Sequence, residues 1–87
     1  MNLGGVNMKV YIVTEIYYSE EGVQKDIKCV CKDKNTARDK MKEYAKKQIK
    51  GQFKYEDWAI TTMEDDKCIL DSMYESLVFK INELEVI

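Results

Sequence analysis

The chain has 87 residues, a formal net charge of −2, 45% hydrophobic residues, three Cys, no Pro and no His. This length makes one domain with a single thin core; the hydrophobic content excludes a disordered chain, and no apolar run nears the ~20 residues of a membrane helix. The small net charge hides a division: residues 25–54 hold eleven of the fourteen bases and sum to +7, residues 55–87 sum to −7, and residues 1–24 sum to −2.

Residues 1–7 (Met-Asn-Leu-Gly-Gly-Val-Asn) carry no secretory pattern. They are expected to form a flexible leader before a single α+β domain over 8–87. Val10 to Tyr18 is rich in β-branched and aromatic residues and reads as a strand. Val10, Ile12, Thr14 and Ile16 share one face; Tyr11, Val13, Glu15 and Tyr17 share the other. The first set, free of charge, is assigned to the core. Tyr11, Val13 and Tyr17 are then expected on an open face, where exposed aromatics suit a partner or a second copy.

Ser19-Glu20-Glu21-Gly22 is a polar break whose Gly tolerates positive φ, so a hairpin is expected. It leads into a second strand over Val23 to Cys31 that alternates, with Lys25, Ile27, Cys29 and Cys31 on one face against Asp26, Lys28 and Val30. Asp33 and Asn35 are both available as a helix N-cap. From Thr36 the period becomes helical: Ala37, Met41, Tyr44, Ala45, Gln48 and Ile49 form one stripe. Lysines gather near the helix C-terminus, where they suit the dipole, and Gly51 is placed as its stop. Asp57 to Glu64 alternates as a strand, Glu64-Asp65-Asp66-Lys67 is a turn, and Cys68 to Leu70 opens a return strand that Asp71 to Glu75 interrupts. The last strand carries Leu77, Phe79 and Ile81, then Leu84 and Val86, a change of phase that suggests a bulge near Asn82-Glu83. The expected fold is α+β in two layers: an antiparallel sheet with one amphipathic helix packed on one face, in the order β-β-α-β-β.

Without His, the chain lacks the commonest general base and metal ligand. Cys29 and Cys31 lie two apart on a strand, poor geometry for a disulfide, and with Cys68 they fall short of four zinc ligands; small core residues are the expected reading. Glu64, Asp65 and Asp66 lack the alternation and Gly of a calcium loop and read as a solvated turn. Arg38, Lys42, Lys46 and Lys50 recur every four residues and could follow a phosphate backbone. Asp39 and Glu43 interrupt that arc, Glu43 to Lys47 reads as an ordinary i, i+4 pair, and with thirteen Lys to one Arg the bidentate recognition of phosphate is weak. The acidic C-terminal third could instead occupy a basic groove on a partner, and the two charged segments could face each other.

The sequence therefore points to a small non-catalytic binding or regulatory protein, without cofactor or metal, acting on another protein or as a homo-oligomer. An odd number of cysteines suits a reducing cytoplasm. Size and lysine bias suit a phage or mobile element, with inhibition of a host defence or nucleic-acid enzyme as one concrete form. The alternative is a nucleic-acid-binding module using the lysine-rich segment 25–54. The residues singled out for interaction are Tyr11, Val13, Tyr17, Arg38, Lys42, Lys46, Lys50, Glu64, Asp65 and Asp66.

Overall fold

The computed structural model describes residues 8–50 and 58–86. The elements are β1 (Met8–Ser19), β2 (Gly22–Cys31), α1 (Lys34–Lys50), β3 (Ala59–Met63), β4 (Lys67–Asp71) and β5 (Ser76–Val86). The strands form one antiparallel sheet ordered β2-β1-β5-β4-β3, and α1 packs against β1, β2, β4 and β5. The expected two-layer α+β architecture is present. Lys67–Asp71 is a strand in its own right, so three strands follow the helix. The leader 1–7, the Gly51 stop and the strand start at Asp57 lie outside the described residues.

Local chemistry explains the joints. Ser19 pairs with Gly22 across a two-residue turn, and Gly22 has φ of 130°, a conformation that side-chain-bearing residues rarely adopt. Asp33 caps α1: the Thr36 N–H donates to its Oδ1 at 2.8 Å and the Thr36 hydroxyl donates to its Oδ2 at 2.9 Å. These contacts hold the Asp33 carboxyl below the usual carboxylate range. The apolar stripe of α1 lies on the sheet, with Ala37, Met41 and Ala45 fully buried and Tyr44 and Ile49 packed at its margins. The two alanines remove bulk where the helix crosses the strands. Phe79, the largest fully buried side chain, stacks on Tyr44 with ring centroids 6.1 Å apart.

Three expectations about strand faces are corrected. The first concerns β1: the helix covers the face bearing Tyr11, Val13 and Tyr17, and Val13 has no exposed surface. The register is the reason. Val13 lies opposite Ile81 of β5 and Cys29 of β2, and Leu77 and Phe79 continue that face of β5. The core therefore collects on that side, although β1 alone looks more apolar on the other.

Second, β2 does not alternate evenly. A bulge at Lys28 lets Val13 pair with Cys29 while Thr14 pairs with Ile27. Cys29 and Cys31 thus turn toward the core, and Lys25 and Ile27 turn away from it. Third, β5 pairs with β1 without a shift from Ser76 to Val86, so no bulge lies near Asn82-Glu83. What changes there is the cover. Ile81 is the last buried residue of β5, the core-side positions beyond it are Glu83 and Glu85, and Leu84 and Val86 lie on the uncovered face. Lys9 pairs with Glu83 at 3.5 Å on the core side.

Candidate interaction surface

The side of the sheet away from α1 carries no described element. Its rows follow from the register. Along β1 stand Met8, Val10, Ile12, Thr14, Ile16 and Tyr18, and opposite them on β5 stand Val86, Leu84, Asn82, Lys80, Val78 and Ser76. β2 adds Val30, Ile27, Lys25 and Val23, and β4 adds Lys67, Ile69 and Asp71. Much of this face is apolar and wet: Ile27 is 68% exposed, Val30 59%, and Leu84 51%. Exposed apolar side chains gathered on one face in this way mark a candidate contact surface.

Polar groups interrupt the apolar rows, and four of them, Lys25, Lys67, Asp71 and Lys80, are charged. Lys67 and Lys80 stand directly opposite each other on neighbouring strands, an arrangement that like charge makes unfavourable. Asp71 accepts hydrogen bonds from the Ser76 and Thr61 hydroxyls, which hold its carboxyl below the usual range. Where β4 turns into β5, the Ser72 N–H donates to the Glu75 carbonyl at 2.9 Å, and this turn presents Met73 and Tyr74 to solvent.

The residues singled out from the sequence fall into separate places. Tyr11, Val13 and Tyr17 lie under the helix, and the Tyr17 hydroxyl donates to Glu75 at the rim. Lys42, Lys46 and Lys50 run along the outer side of α1, bordering a surface depression with Asp39, Glu43 and Lys47; Lys47 pairs with Glu43 at 3.3 Å. Glu64, Asp65 and Asp66 form the exposed β3–β4 turn, closed by the Glu64 N–H on the Lys67 carbonyl at 2.7 Å. Basic and acidic segments meet where Arg38 donates from Nε to the Asp65 carbonyl at 3.3 Å, and its Nη2 lies 3.2 Å from Asp65 Oδ2. Of the residues singled out for interaction, the fold brings these two together across the segments. Ile27, Val30, Val78 and Leu84 were not singled out from the sequence; the phase change at Leu84 and Val86 was their only signal.

The thiols face inward. Cys29 and Cys31 Sγ atoms lie 3.7 Å apart, in hydrogen-bond contact and without a disulfide, and Cys68 is fully buried. Burial, then the neighbouring Cys29, pushes the Cys31 thiol up, and burial pushes Cys68 up. Tyr44 is pushed up to about 12, first by its side-chain hydrogen bond with Cys29 and then by burial. Each shift favours the protonated form, the wrong state for a thiolate nucleophile or metal ligand. Among the described residues, no three Cys, Asp or Glu side chains converge as metal ligands. A cavity of about 230 Å³ lies at the other end of the core face, between the Glu15, Asp26 and Glu75 carboxylates and the Tyr17 and Trp58 rings. Among the described residues, no helix is long and apolar enough to cross a membrane.

Comparison of the chain with protein-family models, with curated proteins and with solved structures returned no match.

Proposed function

We propose that the chain is a non-catalytic protein-binding module that docks through the open face of its sheet. The exposure of Ile27, Val30 and Leu84 on a face that no described element covers is the observation that carries this reading. Burial on association releases the water on these side chains, about 25 cal/mol for each Å² of apolar surface removed. The sheet edges are less suited to the task. A bulge interrupts β2 at Lys28 and another interrupts β3 at Thr61, and edge bulges discourage strand addition. The charged helix and turns then steer approach and orientation rather than supply affinity. Three unpaired cysteines support a reducing cytoplasm as the setting. Size and charge polarity support an inhibitor of a host defence or nucleic-acid enzyme, encoded by a phage or mobile element.

The test is capture from native lysate with the tagged chain and with an Ile27→Asp/Leu84→Asp variant. The reading expects a stoichiometric partner, or a second copy, that the variant loses while keeping its circular dichroism spectrum. Capture unchanged by the variant refutes it.

A nucleic-acid-binding reading rests on Lys42, Lys46 and Lys50 lying exposed along one side of α1. It requires binding of DNA or RNA that weakens steeply with salt and is lost in Lys42→Glu/Lys46→Glu. Absence of binding at low salt eliminates it.

A further inference from the structure

Three features outside the charged surfaces invite a specific assignment: the acidic cavity beside Tyr17, the Cys29–Cys31 thiols and the open sheet face. The cavity rests on clustered carboxylates alone, and the Cys29–Cys31 thiols are turned inward, with burial pushing Cys31 up. The open face carries more, because its register is known strand by strand.

We propose that a second copy of this chain closes the open face, packed sheet against sheet about a two-fold axis along the boundary between β1 and β5. This rests on the reading of that face as the docking surface and names its occupant.

Area is the first argument. β1, β2 and β5 have 10–12 residues and β3 and β4 have five, so the sheet is L-shaped. At ~3.4 Å per residue and ~4.8 Å between strands, copies that overlap along β1 and β5 and along the five rows shared by β2 and β4 cover roughly 520 Å² each. The total of about 1,050 Å² clears the ~1,000 Å² that a specific interface needs.

Self-complementarity is the second. A two-fold contact must present the same patch on both sides. About the β1–β5 boundary, each row of the face meets its own reverse: Met8 of one copy faces Val86 of the other, Val10 faces Leu84, and Ile16 faces Val78. These three β1–β5 pairs are wholly apolar. No like charges come face to face. Lys80 meets Thr14, Lys67 meets Ile27, and Lys25 meets Ile69. Lys67 and Lys80 also lie at the inner corner of the L, where β4 begins and β5 runs on with β1 alone. From there their stems cover apolar surface while the ammonium groups reach water. Aligned sheets cross at about −30°, which shifts the outer rows and preserves the central ones.

The experiment is light scattering on size-exclusion peaks of the full chain loaded from 1 to 200 µM, with Leu84→Glu, Val78→Glu and the helix-face control Lys42→Glu. The wild type and Lys42→Glu are expected to move from 10.2 kDa to twice that mass with concentration. Leu84→Glu lies beyond the helix-covered core, so its fold should survive; it and Val78→Glu should stay monomeric, at least tenfold weaker, with unchanged circular dichroism. A dimer that survives both substitutions, or that Lys42→Glu abolishes, overturns the proposal. A wild type monomeric at 200 µM overturns it too. In that case binding of the dye anilinonaphthalene sulfonate, lost in Leu84→Glu, would leave the open-face reading standing; absence of dye binding would remove both.

Discussion

Replacing Val13 by threonine exchanges one methyl for a hydroxyl and leaves volume, shape and strand propensity almost unchanged. Val13 has no exposed surface and sits between Ile81 and Cys29 on the core face. Its surroundings are the apolar core cluster, which offers the new hydroxyl no oxygen or nitrogen side chain to bond. A buried, unpaired hydroxyl costs about 2 kcal/mol. At ~0.05–0.15 kcal/mol of stability per residue, that is a large share of what a domain this small possesses. The melting temperature should fall by about 10 °C. Ile12→Thr, one position away on the open face, removes a side chain that is already partly wet and installs a good strand former; its cost should stay below about 1 kcal/mol. Thermal melts by circular dichroism at low micromolar concentration compare the two without association. If Ile12→Thr destabilises more than Val13→Thr, the helix lies on the other face and the argument fails.

Asp33→Ala removes the helix cap and should lower the melting temperature by about 5 °C. The Asp33 carboxyl is held below its ordinary value, so its contribution is present above the unfolded pKa of about 4 and fades as pH falls through the folded value; the deficit of Asp33→Ala should therefore shrink in acid melts. Tyr44 is pushed up to about 12 by Cys29 and burial. The neutral phenol is favoured in the fold, so that stabilisation is intact below the unfolded pKa of about 10 and is lost as pH rises toward the folded value. Absorbance titration should show a late-ionising tyrosine that Tyr44→Phe removes. Gly22→Ala meets no neighbouring atom within 4 Å, and φ of 130° is the sole obstacle; denaturant melts should show a loss of about 1 kcal/mol. A neutral result would mean that the turn readily relaxes.

Where a pattern depends on neighbours along the chain, the sequence is enough to read it. The stripe Ala37–Met41–Tyr44–Ala45–Gln48–Ile49, the cap before Thr36 and the turn at Glu20-Glu21 are each set within a few residues. Where a pattern depends on register between distant strands, it is not. β1 is apolar on both sides, and only pairing with Leu77, Phe79 and Ile81 decides which side meets the helix. The bulge at Lys28 belongs to the β1–β2 pair, so alternation within β2 does not reveal it. Likewise, Leu84 and Val86 seem to slip phase because the core-facing positions of β5 turn polar after Ile81, while the strand itself stays regular. The charge division was legible, but Arg38 is a helix residue tied to the β3–β4 turn, and that contact follows from tertiary packing alone.

The central claim is that α1 covers one face of the sheet and that the other stays open for docking. Isoleucine-methyl NMR with a soluble paramagnetic agent reads this directly in dilute and concentrated samples. Ile12, Ile16, Ile27 and Ile69 report the open face, and Ile81, 6% exposed, reports the core. The account predicts strong broadening of the first four in dilute protein, their protection at high concentration, and protection of Ile81 throughout. Broadening of Ile81 with protection of Ile12 and Ile16 in dilute protein would contradict it.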